Sequence, residues 1–162
     1  MRRKDRQVED ASEIMHILQK ADVCRIAMSD DNVPYIVTMN FGFGKDGSAS
    51  LYFHSACEGK KINILKKNNL VCFQTEIEHE FFLHSDTSCG CSMKYRSVIG
   101  MGRISLVNDP SEKIEALQAI MTHYTKKSEH VFKEELVKRT LIMRLGIEEI
   151  SGKAREKLEH LT

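Results

Sequence analysis

The stretch "SMKYRSVIGMGRISLV", residues 92–107, decides the fold class. It predicts one long β-strand, and Gly100 and Gly102 lie where they can kink that strand. A long, bent strand is typical of a β-barrel. Because side chains alternate along a strand, one face carries Lys94, Arg96 and Val98, and the other carries Tyr95, Ser97 and Ile99.

Shorter strands with short connections surround this stretch. They are predicted at residues 23–29, 35–43, 49–54, 70–76 and 141–149. "DDNVP" predicts the turn after the first of them, and Asp46-Gly47 is a usual pair for a tight hairpin. Short connections rather than crossover helices favour an antiparallel barrel over a doubly wound parallel sheet. We therefore predict an α+β fold.

Helices are predicted between and beside the strands. Asp10 begins one whose buried face is Ile14, Ile17, Leu18 and Ala21. Asp109-Pro110 begins another, with the apolar stripe Ile114, Leu117, Ile120, Met121 and Tyr124. Shorter helices are predicted after Gly59 and within "EELVKRT".

The composition limits the class of protein. A chain of 162 residues has room for one domain of ordinary size, so we expect a single domain over residues 1–162. A net charge of +1 argues against a dedicated nucleic-acid binder. No apolar run has the length of a membrane span, and the basic N-terminus lacks the apolar core of a secretory signal. We expect a cytoplasmic protein, in which an odd number of five cysteines argues against a disulfide framework.

Lys60 and Lys61 follow Gly59 at a predicted helix start. Lysines are unfavourable there unless an anion lies in front of them, and phosphate is the obvious candidate. The competing interpretation is a solvated basic run, which the spacing alone favours. Lys94 and Arg96 form a second basic cluster, for which an edge strand guarded by charges is the competing interpretation.

Metal ligands gather in "HEFFLHSDTSCGC", residues 79–91. His79-Glu80 and His84 do not form the metalloprotease H-E-x-x-H, because the two histidines are one position too far apart. The Cys-Gly-Cys pair is one residue short of the usual zinc spacing and has no second pair to complete a site. We therefore predict no metal site.

Six collinear stretches carry a family resemblance: "MRRKDR", "CRIAM", "PYIVTMNFGF", "LYFHSACEGKKI", "CSMKYRSVIGMGR" and "EEISGK". They resemble the pyridoxamine 5′-phosphate oxidase-like FMN-binding split-barrel flavoproteins, and among these the 5-nitroimidazole resistance (Nim-type) nitroreductase branch. The resemblance implies an antiparallel split β-barrel of Greek-key type with peripheral helices.

The resemblance also implies a cofactor site. The cofactor would be FMN, with FAD as the alternative. The strand beside its ring system would contribute Tyr35, Val37, Thr38, Met39 and Asn40. His54 and Ser55, at the end of the next predicted strand, would also contact the cofactor. Lys60 and Lys61 would bind its phosphate, and we call this pair the phosphate grip. Arg96, Ser97 and Val98 would come from a partner subunit or the opposite wall, since family members usually bind two flavins at a homodimer interface.

The function expected from the resemblance is a flavin-dependent oxidoreductase. It would reduce small nitroaromatic acceptors such as 5-nitroimidazoles, as in antibiotic resistance or detoxification. His54 is the candidate catalytic residue, because the ordinary pKa of histidine, near 6.5, suits a proton donor, although a fixed hydrogen-bonding histidine fits equally. Two alternatives stay open: a non-catalytic flavin or haem binding protein, and a pyridoxamine phosphate oxidase.

Overall fold

The structure is a computed structural model that describes residues 2–45, 50–83 and 91–156. Its strands are β1 (Gln7–Val8), β2 (Cys24–Asp30), β3 (Val33–Met39), β4 (Gly42–Phe43), β5 (Ser50–Ser55), β6 (Leu70–Leu83), β7 (Cys91–Val107) and β8 (Leu141–Arg155). Its α-helices are α1 (Ala11–Lys20), α2 (Lys60–Lys67), α3 (Pro110–Thr125) and α4 (Glu134–Arg139), preceded by a 3-10 turn at Lys4–Arg6. Within these ranges no helix is long and apolar enough to cross a membrane.

The strands form one antiparallel sheet in the order β3-β2-β6-β7-β8-β5-β4, and β1 pairs with β8. This arrangement confirms the predicted α+β fold. The turn predicted by "DDNVP" joins β2 to β3, and Asp31 and Asn32 have φ angles of 49° and 69°. Positive φ at both central residues is the geometry of a two-residue hairpin turn.

Three strand predictions need correction, and one of them is the last strand, predicted at 141–149, which continues to Arg155 as β8. The strand predicted at 35–43 is two strands, because β3 ends at Met39 and β4 begins at Gly42. Between them the N–H of Phe41 donates to Tyr124 Oη at 3.2 Å instead of to a strand, and the Phe41 ring is fully buried. The strand predicted at 70–76 continues to Leu83, through Glu78 at φ 60°.

The chain divides into two compact units. Unit 1 comprises Met1–Ala21, Gln74–Ile99 and Ser151–Thr162, and unit 2 comprises Asp22–Phe73 and Gly100–Ile150. In unit 1, the Asp10 carboxylate accepts a hydrogen bond from Ser12 N at 2.8 Å and caps α1, as predicted. Ile17 and Leu18 of α1 are fully buried. The single-domain assignment stays a prediction.

The core of unit 2 forms where α3 packs against β4 and β5. Asp109 caps α3 by accepting from Glu112 N at 2.8 Å, as predicted. The predicted apolar stripe is wrong in part, since Ile114 is 46% exposed while the buried positions include Ala116 and His123. The cause is a close approach of backbones: a Cβ atom on Gly42 would lie 2.4 Å from Ala119 C.

A second close approach explains Gly102 of β7. A Cβ atom there would lie 2.0 Å from the carbonyl oxygen of Gly146 on β8. No side chain fits in that space, so β7 requires glycine at position 102.

Candidate functional site

The N-terminus of α2 in unit 2 is open and positively charged. Gly59 precedes the helix with φ 123° and ψ 173°, and no side chain caps it. The Gly59 carbonyl accepts from Ile62 N and Asn63 N at 3.0 and 3.1 Å. Lys60 and Lys61 are the first two residues of the helix, so their backbone N–H groups have no carbonyl partner within it. A Cβ atom on Gly59 would have no neighbour within 4 Å, so an anion has space to approach.

The structure brings Lys60 to the predicted cofactor strand. Lys60 Nζ lies 4.7 Å from the centroid of the Tyr35 ring on β3. An ammonium over an aromatic face at this distance is held by the ring quadrupole. Two predicted site residues from separate elements are therefore neighbours, and β3 positions the first lysine of α2.

The two ends of α2 differ in charge pairing. At its last turn Lys67 Nζ contacts Asp30 Oδ1 at 3.0 Å, and this hydrogen bond raises the pKa of Lys67. The first turn contains no acidic residue. Lys60 and Lys61 add two positive charges to the positive end of the helix dipole. This asymmetry favours the anion-site interpretation over a uniformly solvated basic run.

β3 presents its predicted contacts on different sides. Tyr35, Val37 and Met39 are half-buried on one face, whereas Thr38 is exposed on the other and Asn40 is exposed just after the strand. β3 is also terminal in the strand order, so one of its backbone edges has no strand neighbour among the described residues. Such an edge offers N–H donors and C=O acceptors to a flat heterocycle.

The end of β5 lies before the loop that leads to Gly59. His54 is exposed and pairs in register with Ile142 of β8. Ser55 is buried, and its Oγ donates to the Ala56 carbonyl at 2.9 Å. In the loop, Cys57 Sγ lies 3.3 Å from the carbonyl oxygen of Arg139, which attaches the loop to the end of α4. A role for His54 stays a prediction.

Arg96 lies in unit 1 within a group of carboxylates. Its terminal nitrogens bind Glu13 Oε1 at 2.7 Å and Glu156 Oε1 at 2.6 Å, and its Nε lies 3.3 Å from Glu78 Oε2. Three acidic partners surround one guanidinium. A cofactor contact through Arg96 stays a prediction, and an anion would have to compete with these carboxylates.

The neighbours of Arg96 on β7 are also engaged within unit 1. Ser97 Oγ donates to the Lys153 carbonyl at 3.3 Å. Val98 is 0% exposed. Lys94 Nζ contacts Glu78 Oε2 at 3.1 Å, and this hydrogen bond lowers the pKa of Glu78. Contacts of Ser97 and Val98 with a cofactor stay predictions.

Sequence reasoning missed the three acidic partners of Arg96 and the contact between Lys60 and Tyr35. No spacing rule links them, because each comes from a different element. The residues His84, Asp86 and Cys89 and the Asp46-Gly47 turn lie outside the described residues.

Comparison with known proteins identifies relatives over nearly the whole chain. A family model described as pyridoxamine 5′-phosphate oxidase matches residues 10–154. The crystal structure of a candidate 5-nitroimidazole antibiotic resistance protein from Bacteroides thetaiotaomicron is 32% identical, with a TM-score of 0.80 over 93% of this chain and 90% of that chain. No curated protein matches significantly.

Two more distant structures share the fold. The flavocytochrome from Azotobacter vinelandii is 18% identical, with a TM-score of 0.80 over 99% of this chain and 75% of its own. An FAD and haem binding protein from Mycobacterium smegmatis is 16% identical, with a TM-score of 0.81 over 97% of this chain and 77% of its own. At such identities the likeness concerns the fold.

Proposed function

This chain belongs to the pyridoxamine 5′-phosphate oxidase family, and on that premise we propose that it is a flavin-dependent oxidoreductase acting on small nitroaromatic acceptors. Lys60 and Lys61 would hold the cofactor phosphate, and residues 35–40 would lie along the ring system. His54 and Ser55 would supply polar contacts at the end of β5.

The observation that carries the proposal is the N-terminus of α2. It combines backbone N–H groups, two lysines, open space at Gly59 and a first turn without acidic residues. These features fit a phosphate group, which gains from charge-assisted hydrogen bonds and from the helix dipole. We propose FMN rather than FAD, because its terminal phosphate monoester carries up to two negative charges and matches two lysines.

The terminal strand β3 supports the placement of the ring system. The pyrimidine edge of a flavin carries alternating donors and acceptors, which suit the open backbone edge of a strand. Bound flavin supplies the transfer of electron pairs between a donor and an acceptor, while the protein binds, orients and encloses it. The 32% identical Bacteroides protein, described as a candidate for 5-nitroimidazole resistance, supports a nitroaromatic acceptor.

We also propose a homodimer with flavin at the interface. Among the described residues of unit 1, the large apolar side chains Phe81, Leu83, Met93 and Ile99 are exposed. In the proposed dimer a partner subunit would remove these side chains from water, which is favourable. Arg96, Ser97 and Val98 of one subunit would then lie beside the cofactor held mainly by the other.

The test is the absorption spectrum of the purified protein, followed by titration with FMN and FAD. We expect flavin bands and a tighter Kd for FMN. A colourless protein that binds neither flavin contradicts the proposal. A haem Soret band, or bound flavin that no electron acceptor reoxidises, favours the non-catalytic binding protein instead.

A double variant, Lys60→Ala with Lys61→Ala, tests the phosphate grip. Hydrogen bonds to charged groups are worth about 1.5–3 kcal/mol each, so the Kd for FMN should rise at least about tenfold. The matched control is Lys66→Ala with Lys127→Ala, which removes the same charge from two exposed positions elsewhere. If both double variants raise the Kd equally, Lys60 and Lys61 do not bind the phosphate and belong to a solvated basic run.

A further inference from the structure

Unit 2 contains a cavity of about 610 Å³ between the start of α3 and the segment 130–138, here called the α3–α4 cavity. The residues that line it and carry the argument are Lys113, Ile114, His130, Phe132, Val137 and Lys138. None of them is among the predicted cofactor contacts. The volume falls within the range of about 300–1,000 Å³ that small-molecule sites occupy.

Hydrogen bonds between α3 and the following segment fix the walls of the cavity. Gln118 Nε2 donates to the His130 carbonyl at 2.6 Å, and the His130 ring lies 3.1 Å from Thr125 Oγ1. Lys113 Nζ donates to the Thr140 carbonyl at 3.2 Å, just after α4. The cavity is therefore bounded by elements that are attached to each other rather than by a loose loop.

The apolar part of the lining suits a hydrocarbon or aromatic group. Val137 is buried, Phe132 is half-buried, and Ile114 is 46% exposed. An apolar side chain this exposed gains free energy when a ligand removes it from water.

The polar part of the lining suits one negative charge. Lys138 is paired with Glu134 at 2.6 Å, and both are largely exposed. Lys113 is half-buried, and its bond to Thr140 takes one of the three N–H donors of its ammonium group. Because Glu134 neutralises Lys138, the remaining positive charge is that of Lys113. One positive charge matches a carboxylate better than a phosphate dianion or a cation.

We propose that the α3–α4 cavity binds a small organic monocarboxylate. Its apolar body lies against Ile114, Phe132 and Val137, and its carboxylate accepts hydrogen bonds from Lys113. This proposal does not depend on the flavin proposal, because it holds whether or not a flavin binds near α2.

The test compares three monosubstituted benzenes of similar size on the unmodified protein: benzoate, benzamide and benzylamine. Isothermal titration should show saturable binding of benzoate, with benzamide and benzylamine at least about tenfold weaker, because only the anion forms an ion pair with the Lys113 ammonium group. Methyl NMR should locate the effect at Ile114 and Val137 and not at Ile26 of β2. Equal affinity for all three probes, or no saturation by benzoate, overturns the proposal.

The variant Lys113→Met should weaken benzoate about tenfold and benzamide much less, whereas the control Lys127→Met should change neither. If Lys113→Met fails to fold, the comparison of the three probes on the unmodified protein still decides. Methyl shifts at Ile114 that depend on protein concentration without a probe would overturn the proposal, because a second copy of the chain would then cover the cavity.

Discussion

Lys60 Nζ lies 4.7 Å from the centroid of the Tyr35 ring, which joins the first residue of α2 to the middle of β3. Lys60 is exposed, so without the ring its ammonium group would sample many rotamers in water. The contact places the charge over β3, where the proposed cofactor ring would lie. Tyr35 would therefore position the proposed phosphate grip and would also form a wall of the proposed site.

Replacing Tyr35 separates these two roles. Tyr35→Phe keeps the aromatic face and should leave the Kd for FMN nearly unchanged. Tyr35→Leu removes a cation–π contact, which is worth about 0.5–1 kcal/mol at an exposed site. The Kd for FMN should therefore rise about two- to fivefold. Quenching of flavin fluorescence on titration measures both. A loss of affinity in Tyr35→Phe equal to that in Tyr35→Leu would mean that the hydroxyl group, and not the ring, carries the effect.

Gly59→Ala should destabilise the fold without a steric clash. The φ of 123° with ψ of 173° is a region that only glycine adopts readily, although a Cβ atom would meet nothing within 4 Å. Forcing an alanine there costs about 1–3 kcal/mol, measurable by urea denaturation. Gly146→Ala is the control, because its nearest neighbour would be 4.0 Å away. A Gly59→Ala variant as stable as the control would show that the backbone can relax at this turn.

The proposed homodimer should depend on the apolar surface of unit 1. Ile99 is 49% exposed, and a glutamate in its place would have to lose water to enter an interface. We expect Ile99→Glu to shift sedimentation toward the monomer, while Val131→Glu, at a fully exposed residue of unit 2, leaves it unchanged. Added FMN should favour the dimer if it contacts both subunits. A flavin-loaded wild-type monomer would contradict the shared site.

The stability of the protein should fall in acid, in part because of Glu78. The hydrogen bond from Lys94 lowers the pKa of Glu78 in the folded state below its usual 4.5. The contribution of this carboxylate is therefore complete above pH 4.5 and is lost as the pH falls through the lowered pKa. As the pH falls through that window, the free energy of unfolding of Glu78→Gln should decrease less than that of the wild-type protein. The expected difference is about 0.2–1 kcal/mol, the usual contribution of an exposed ion pair.

Denaturant titrations at pH 7, 5, 4 and 3 would measure this difference for Glu78→Gln. The control, Glu129→Gln, removes an exposed carboxylate of unit 2. The same pH dependence in wild type and in Glu78→Gln would show that Lys94 compensates by pairing with Glu156, which lies 3.6 Å from its Nζ.

Local signals in the sequence predicted the local structure well. Asp10 and Asp109 cap helices as expected, and Asp31-Asn32 forms the expected turn, because each signal acts within three or four residues. The antiparallel class followed from the short connections between strands.

Contacts between distant elements could not be predicted in this way. The carboxylates around Arg96 come from α1, β6 and the chain after β8, and charge alone does not select among 23 acidic residues. The buried face of α3 depends on Gly42, whose missing side chain admits the helix backbone. Periodicity shows that α3 is amphipathic, but the neighbour decides which side is buried.

The last prediction concerns the acceptor. Reduction of a nitro group to a nitroso group takes two electrons and two protons and releases water, and a full reduction to the amine takes six of each. We expect protein reduced with dithionite, freed of excess reductant and kept anaerobic, to be reoxidised by a 5-nitroimidazole, each two-electron step consuming one reduced flavin. The motivation is the 32% identity, over 93% of the chain, to the candidate resistance protein.

Stopped-flow absorbance of the flavin, with and without the nitroimidazole, measures the reaction, and the matched imidazole without a nitro group is the control. His54→Gln keeps a hydrogen-bonding side chain at the exposed end of β5 but removes a titratable proton. If His54 donates a proton to the acceptor, this variant should slow reoxidation about a hundredfold or more. An unchanged rate would assign His54 to binding alone. If the flavin stays reduced with the nitroimidazole but is rapidly reoxidised by a quinone, the protein is an oxidoreductase whose acceptor is not a nitroaromatic compound.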